Sequence, residues 1–586
     1  MATAPPTQQT DKDLASIAEA RSLARRAKAA QAVLAEFSQA QVDAIVDAMA
    51  AAVTPQAEAL ARLAVEETGF GVVADKIQKN LFSSQRVYEF IRPMKTVGVI
   101  NRNEEKKVIE IAEPFGVVAA VIPSTNPTST AIYKLLIAIK ARCAVVMTPH
   151  PSAARCITCA ADIMNEAGRR AGLPDGAIGW MRTVTLEGTQ ELMKAREVSV
   201  ILATGGMGLV RAAYSAGKPA YGVGPGNAPC YIESSADVRK AANDILIGKS
   251  FDNGVLCSSP NSVVVDQAVE AEARRQFLDQ GGYFLSPAEA DALGRQLVTP
   301  QRLPNPAFVG KSATYIARQV GLTVPANTRA LIAELKGVGR DFPLSFEKLC
   351  PVLSYYVVKD WREGCERCKE ILRYGGMGHT MSIHSQNDAV ILEFGLHKPA
   401  YRICVNTPTT HGSIGLTTGL DPAMTLGCGG FGGNITSDNI TPRHLINVKR
   451  VAYELRPAAA SPRVSGPPQG LKVAEVPDVQ APSAPSLPRL PGKPQPDSIS
   501  SHSLTSRIDK FLASRGLAPG ASPAPEAAPP TPAPSEPEKF VCEDDVRLAI
   551  REGRKLLVNE KSIITPSARD AGEAARIFLH AGWPSS

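Results

Sequence analysis

Apolar side chains recur with two different spacings along the chain. Up to about residue 90 the spacing is helical, as in Leu23, Ala27, Ala30, Leu34 and Phe37. Residues 12–90 are therefore predicted to form several packed amphipathic helices. From Ile109 to about Asn447, short Val- and Ile-rich runs alternate with helical segments. That alternation predicts βαβ units around a parallel sheet, which is the α/β fold class.

The C-terminal part of the chain differs in composition from the rest. Of the 46 prolines, 19 lie between Pro457 and Pro537, among many Ala, Ser and Gly residues. Residues 456–538 are therefore predicted to be a disordered linker. One segment inside it, SHSLTSRIDKFLASRG at 501–516, has an apolar helical stripe of Leu504, Ile508, Phe511 and Leu512. The segment predicts a short amphipathic helix, and residues 539–586 predict a small module or a second docking segment.

Composition narrows the class of protein. Hydrophobic residues make up 44% and charged residues 21%, as in water-soluble globular proteins. The longest apolar runs are far shorter than a membrane span, and the N-terminus has no secretory signal pattern, so a cytoplasmic address without membrane contact is expected. The net charge of +7 is small for 586 residues, so no nucleic-acid partner is expected. Eleven cysteines are expected to be thiols.

Candidate chemistry centres on Cys257, in the segment SFDNGVLCSSPNSVVV at 250–265. The segment follows a helical stretch and precedes an apolar strand, where a thiol could face a cleft; a buried structural cysteine is the alternative. A thiol that attacks a carbonyl needs donors for the developing oxyanion. Asn126, in the loop PSTNPTS after the strand GVVAAVIP, is a candidate donor, because open α/β sheets place ligand loops at the carboxyl ends of strands.

Two glycine-rich loops are candidates for binding a dinucleotide. ATGGMGLVRAAYSAG at 203–217 follows a predicted strand and opens a helix, so its glycines would let the backbone approach a pyrophosphate. GVGPGNAPCYI at 222–232 also precedes a strand-like run. The first loop lacks GxGxxG spacing, so an ordinary glycine-rich turn is its alternative.

Six segments occur in a fixed order along the chain: IPSTNPTST, TGGMGLVRAAY, GVGPGNAPCYIE, SFDNGVLCSS, GMGHTMSIHS and LGCGGFGGNITSDNITPRHLINVKR. Over about residues 15–450 they resemble the CoA-acylating aldehyde dehydrogenases, including the aldehyde dehydrogenase half of bifunctional aldehyde-alcohol dehydrogenases. The resemblance implies an aldehyde dehydrogenase-like fold. Its parts would be the N-terminal helices and a Rossmann-like cofactor domain at 12–226 and 434–455, an α/β catalytic domain at 227–433, and an oligomerisation flap.

The resemblance also implies roles for individual residues. Cys257 would be the nucleophile, and Asn126 with the Cys257 backbone N–H would form the oxyanion hole. The implied cofactor-binding residues are Ser124, Thr125, Thr204, Gly205, Gly206 and Glu347, the last beside the nicotinamide ribose. NAD is the expected cofactor, with NADP not excluded, coenzyme A is the cosubstrate, and a homo-oligomer is the expected assembly.

One departure from the hydrolytic aldehyde dehydrogenases predicts the acyl acceptor. Those enzymes carry an E-L-G-G-K type segment whose glutamate activates water, whereas the corresponding stretch here reads GVGPGN. Without that general base, an acyl-enzyme thioester should resist water and still react with the thiol of CoA.

The remaining candidate groups favour structural roles. His379 and His384 could move protons or bind phosphate, but histidines in such a loop are more often structural. Two CxxC pairs, Cys156/Cys159 and Cys365/Cys368, lie in helical patterns. They are about two hundred residues apart, far more than zinc sites use, so no metal is expected.

The sequence predicts oxidation of a short-chain aldehyde to its acyl-CoA through a thiohemiacetal and a thioester on Cys257. A histidinol dehydrogenase-like enzyme is one alternative, because GVGPGN also resembles a stretch of that family, but it would need zinc ligands and leave Cys257 unexplained. A non-catalytic scaffold component is the second alternative. A bifunctional alcohol-forming enzyme is not expected, because the residues after 450 are mostly linker.

The segment 501–516 resembles the encapsulation peptides that tether enzymes to bacterial microcompartment shells. The resemblance implies a location inside such a compartment in the cytoplasm, with shell proteins as partners. The stretch FVCEDDVRLAIREGRKLLVNEKSIITPSARD resembles an extension of some microcompartment-associated proteins. The alternative is a linker helix that packs on its own enzyme or on the tail module.

Overall fold

The computed structural model describes residues 7–299, 304–458 and, near the C-terminus, 538, 540–541, 543–559, 562–564, 568, 572, 575 and 577–580. The chain divides into two compact units, Met1–Ser461 and Pro462–Ser586. The predicted helix 501–516, and all but the ends of the predicted linker, lie outside the described residues.

The first unit begins with helices, as the spacing predicts. These are α1 (Thr7–Leu34), α2 (Gln39–Val53), α3 (Ala57–Thr68), α4 (Val73–Leu81) and α5 (Val87–Ile91). Ala27, Ala30 and Leu34 are buried, so the predicted apolar stripe of α1 faces the interior. Ser38 caps α2 in a reciprocal capping box with Gln41, which fixes where that helix begins.

Two strands, β1 (Gly98–Asn103) and β2 (Val108–Pro114), form an antiparallel pair after the helices. A five-stranded sheet follows, built from these elements in chain order: β3 (Val117–Ile122), α6 (Pro127–Lys140), β4 (Ala144–Pro149), α7 (Ala154–Arg170), β5 (Ile178–Trp180), α8 (Leu186–Lys194), β6 (Val198–Thr204), α9 (Met207–Tyr214) and β7 (Ala220–Val223). The strand order is β5-β4-β3-β6-β7, and all pairs are parallel. The predicted βαβ series is confirmed.

The strand order reverses direction between β3 and β6. These two strands pair with Val121 opposite Ala203, so the loops that follow them start side by side. The ammonium of Lys134 on α6 donates to the Val121 carbonyl at 2.7 Å and to the Leu202 carbonyl at 2.9 Å, and so ties the two carboxyl ends together. Such a switch point leaves a crevice where open α/β sheets bind ligands.

A seven-stranded sheet forms the other half of the first unit. Its elements are β8 (Ala228–Ile232), α10 (Val238–Ser250), β9 (Pro260–Asp266), α11 (Glu270–Asp279), β10 (Gly282–Phe284), α12 (Pro287–Leu297), α13 (Ala313–Gln319), β11 (Ala330–Glu334), β12 (Val352–Val358), α14 (Trp361–Tyr374), β13 (Gly378–His384), α15 (Asp388–Leu396), β14 (Ala400–Val405) and α16 (Thr409–Ser413). The parallel strands run in the order β10-β11-β12-β9-β8-β13-β14. Cys257 lies between α10 and β9, as its neighbours in sequence predict.

The last strand of the first unit, β15 (Ile446–Ala452), pairs antiparallel with β2 and completes a three-stranded sheet. The second unit contains β16 (Phe540–Val541), α17 (Glu543–Glu552), β17 (Leu556–Val558), β18 (Ile563–Ile564) and β19 (Phe578–His580). Its buried cluster includes Val546, Leu556 and Ile577. The described residues of the tail thus share one small buried cluster.

In the described ranges, no helix combines the length and the apolar character that crossing a bilayer requires. Both parallel sheets have strands buried on both faces: all six residues of β3 and all seven of β9 are buried. The predicted α/β fold class with a Rossmann-like sheet is confirmed.

Helix α6 is buried over its whole length, so it should be sensitive to loss of side-chain volume. We expect Leu136→Ala, at a fully buried position, to lower the free energy of unfolding by about 2–5 kcal/mol. Leu14→Ala is the matched control, because Leu14 is 60% exposed and should change it by less than about 0.5 kcal/mol. Urea unfolding followed by far-UV circular dichroism measures both, and equal losses would contradict the packing described for α6.

Candidate active site

One cavity, of about 520 Å³, brings the predicted site residues together. Its wall includes all eight of them: Ser124, Thr125, Asn126, Thr204, Gly205, Gly206, Cys257 and Glu347. The cavity opens at the switch point, between the loops after β3 and β6, and the turn before β9 brings Cys257 to it. Residues far apart in sequence are thus gathered at one place.

The turn that carries Cys257 has an unusual backbone. Asp252, Asn253 and Gly254 have φ values of 49°, 54° and 73°, so three consecutive residues are left-handed. This conformation ends α10 sharply and turns the chain back toward the cavity. A Cβ on Gly226 would lie 2.1 Å from the Cys257 carbonyl oxygen, so only glycine fits at that position of the GVGPGN stretch.

The Cys257 thiol is protonated near neutral pH. Burial, and then the carboxylate of Glu347, raise its pKa to about 12. Burial also raises the pKa of Glu347 to about 8, although that carboxyl accepts the Gly226 N–H at 2.8 Å. Both groups therefore favour their neutral forms near pH 7 in the free protein.

Asn126 is the N-cap residue of α6, at the end of the loop after β3. Its Oδ1 accepts a hydrogen bond from Lys79 Nζ at 2.7 Å, and its Nδ2 donates to Thr125 Oγ1 at 3.2 Å. An amide nitrogen carries two hydrogens, so one remains for another acceptor. Asn126 can therefore act as a donor at the cavity wall.

Behind Asn126 lies a buried group that we call the Asp252 cluster: Lys76, Lys79 and Asp252. The Asp252 carboxylate is fully buried and pairs with both ammonium groups, with Lys76 Nζ at 3.0 Å. Sequence reasoning missed these residues, because two lysines on a predicted amphipathic helix are expected to face solvent. Their spacing at i and i+3, on one helix face, was the only signal.

The turn after β6 fits a dinucleotide. Gly206 is the N-cap residue of α9, and a Cβ placed on it would meet nothing within 4 Å. Thr204 Oγ1 is buried and, among the described residues, has no hydrogen-bond partner. An orphan hydroxyl beside an open helix N-terminus suits a pyrophosphate.

Part of the cavity wall was not predicted from the sequence. The residues include Thr148 and His150 at the carboxyl end of β4, and Thr185, Leu186 and Thr189 at the start of α8. The Thr148 and Thr189 hydroxyls lie 2.9 Å apart and bind each other. His150 directly follows a predicted strand, and that position could have indicated that it lines the cavity.

The other candidate groups stay apart from the cavity wall. His379 and His384 are buried, and burial lowers the pKa of each to about 3, so both are neutral. The two CxxC pairs lie in α7 and α14, so the helical placement predicted for them is confirmed. In the part of the chain that the structure describes, no three His, Cys, Asp or Glu side chains gather as metal ligands.

Comparison with known proteins places the chain among aldehyde dehydrogenases. The sequence profile of the aldehyde dehydrogenase family matches residues 5–281. The bifunctional aldehyde-alcohol dehydrogenase of Escherichia coli is 42% identical over 441 residues, which are 74% of this chain and 49% of that protein. The chain thus spans about half the length of that curated relative.

Two solved structures extend the comparison to most of their length. An acetylating aldehyde dehydrogenase from Geobacillus thermoglucosidasius is 48% identical with a TM-score of 0.75, over 77% of this chain and 99% of the other. A propionaldehyde dehydrogenase from the fucose utilisation bacterial microcompartment of Clostridium phytofermentans is 29% identical with a TM-score of 0.66, over 73% of this chain and 96% of the other.

The raised pKa of Cys257 predicts how this thiol responds to pH. Because only the thiolate reacts, alkylation of the free protein by iodoacetamide should rise about tenfold per pH unit from pH 6 to 7, and then less steeply to pH 9 as Glu347 ionises, without a plateau. Mass spectrometry of the Cys257 peptide measures the rate. Glu347→Gln removes the charge that disfavours the thiolate, so it should speed alkylation at pH 9. A plateau below pH 8 contradicts the raised pKa.

Proposed function

Since the chain belongs to the aldehyde dehydrogenase family, we propose that it is a CoA-acylating enzyme that oxidises a short-chain aldehyde with NAD and transfers the acyl group to CoA. The observation that carries the proposal is that Cys257, Asn126 and the Thr204–Gly206 turn line one cavity. That cavity combines a nucleophile, an oxyanion donor and a place for a dinucleotide.

In the first step, Cys257 Sγ would bond to the carbonyl carbon of the aldehyde, while the carbonyl π bond breaks and the thiol proton passes to solvent. The carbonyl oxygen then takes the negative charge, and Asn126 Nδ2, together with the Cys257 backbone N–H, donates to it. When bound, NAD supplies the hydride acceptor for the oxidation. Removal of the hydride from the former carbonyl carbon leaves a thioester on Cys257.

In the second half-reaction, the sulfur of CoA would attack the thioester carbon, and Cys257 Sγ leaves as the thiolate. The GVGPGN stretch, residues 222–227, has no carboxylate to activate water, and its Gly226 packs against the Cys257 carbonyl. Among the described residues, Glu347 is the only carboxylate on the cavity wall, and the Gly226 N–H donates to its Oε1. These features favour a thiol acceptor over water.

For the cofactor, we propose that Thr204, Gly205 and Gly206 hold the phosphates and that Glu347 binds the ribose beside the nicotinamide. Ser124 and Thr125, in the loop after β3, would face the same cofactor. Assays with NAD and NADP in parallel, over two- to four-carbon aldehydes, define the preferred cofactor and chain length.

We also propose that the enzyme is a homo-oligomer. Strand β14 forms one edge of the seven-stranded sheet, and apolar side chains on and near it are exposed, with Leu396 at 70% and Tyr401 at 43%. An exposed apolar sheet edge favours association with another copy. Sedimentation of the purified protein tests it, and a monomer at micromolar concentration contradicts it.

The proposed acceptor predicts a burst. Without CoA, about one equivalent of NADH per active site should form rapidly and turnover should then stop, because water is not activated. Stopped-flow absorbance measures the burst, and adding CoA should restore steady turnover. Cys257→Ala should abolish both phases and leave the fold intact. Sustained oxidation without CoA contradicts the proposed acceptor, and Glu347→Gln then tests whether that carboxyl is the base.

For the location, we propose a bacterial microcompartment, as for the Clostridium phytofermentans neighbour, with residues 501–516 as the tether to the shell. Residues 497–518 fused to a fluorescent protein should form foci when shell proteins are co-expressed. Phe511→Asp should disperse them because it charges the predicted apolar stripe, whereas Ser506→Asp, on the opposite face, should not. A diffuse unmodified fusion contradicts the tether.

A further inference from the structure

The Asp252 cluster connects the two halves of the proposed oxyanion site. Asp252 belongs to the left-handed turn that leads to Cys257, and its Oδ1 also accepts the Val72 N–H at 2.7 Å. Its Oδ2 pairs with the ammonium groups of Lys76 and Lys79 on α4. The side chains of all three members of the cluster are at most 2% exposed.

Lys79 makes one further contact, and it is to a side chain of the proposed site. Its Nζ lies 2.7 Å from Asn126 Oδ1. An ammonium group can only donate hydrogen bonds. Its contact therefore favours one orientation of the Asn126 amide, with Oδ1 toward Lys79 and Nδ2 away from it. Without that donor, the two orientations of the amide differ little in energy.

We propose that Lys79 is a positioning residue that holds the Asn126 amide with Nδ2 available to the oxyanion. The inference rests on the proposed function, since it assigns Asn126 the donor role. Asp252 provides the countercharge that keeps an ammonium in this interior, and it also anchors the turn before Cys257. The proposed donor Asn126 and the proposed nucleophile Cys257 are thus both positioned through the Asp252 carboxylate.

Lys76 provides an internal comparison. It lies on the same helix face, pairs with the same Asp252 oxygen and is equally buried. Its second contact, however, is to the main-chain carbonyl of Thr125, at 3.1 Å, and not to the amide of Asn126. If the cluster only stabilised the fold, replacing Lys76 or Lys79 should affect the reaction to the same extent.

The charge of Lys79 depends on the groups around it. Burial and the neighbouring Lys76 lower the pKa of Lys79, Asp252 and Asp75 oppose the fall, and the resulting pKa is about 7. The Asp75 carboxylate also accepts the Asp252 N–H at 2.7 Å, which places a second acid within the same network. Asp252 and Asp75 thus favour the ammonium form of Lys79, whereas the Asn126 amide adds no charge.

The test is a double-mutant cycle read from the rate of the NADH burst without CoA. Asn126→Ala should slow the burst about 100- to 1,000-fold, as expected for loss of an oxyanion donor. Lys79→Met should slow it about 10- to 100-fold, with the aldehyde concentration for half-maximal rate changed less than about threefold. In the Asn126→Ala background, Lys79→Met should cost less than about twofold more, because its effect passes through that amide.

Lys76→Met is the matched control: it should slow the burst less than about fivefold, and its effect should multiply with that of Asn126→Ala. If Lys79→Met does not fold, Lys79→Arg keeps a charge beside Asp252 and enters the same cycle. Multiplying losses at Lys79 and Asn126, or a Lys79→Met variant within twofold of wild type, overturn the proposal. Wild-type protein without a burst, or an Asn126→Ala variant with the full rate, instead contradicts the proposed function itself.

Discussion

A single buried carboxylate organises the surroundings of Cys257. An unpaired charge in a protein interior costs several kcal/mol, so Asp252 requires partners, and it takes them from one helix and from the connection before that helix. The contact is close enough that a Cβ on Gly71, which has a φ of 80°, would lie 1.9 Å from Asp252 Oδ1. The left-handed turn before Cys257 is thereby tied to α4, and the position of the thiol follows from that contact.

The cavity is formed by loops from both parallel sheets. The five-stranded sheet contributes its switch point. There the loops after β3 and β6 diverge, and the Lys134 side chain holds the ends of the two strands together. The seven-stranded sheet contributes the turn before β9. Each loop has short-range reasons for its shape, such as the Asn126 cap of α6 and the Gly206 cap of α9. Together they leave an opening that suits an extended ligand.

Burial sets the electrostatic character of this region. It lowers the pKa of Lys249 to about 8 and raises that of Glu347 to about 8, so both groups titrate close to neutral pH. Lys249 and Lys348 are held by oxygens, including the Asn261 amide and main-chain carbonyls. A poorly hydrated surrounding of this kind would strengthen hydrogen bonds to a developing oxyanion, and would keep water from a thioester on Cys257.

Sequence alone was enough to predict the helices and strands, because apolar spacing is a local property, and to recognise the ordered motifs that carry the family resemblance. It also identified Cys257 and Asn126 as candidates, since each lies at the end of a recognisable element. It could not identify Lys79 or Asp252. A lysine on an amphipathic helix is normally solvated, and an aspartate in a polar turn is normally exposed. Tertiary packing brings these two charges together in the interior behind Asn126, and their pairing joins segments that no local pattern relates.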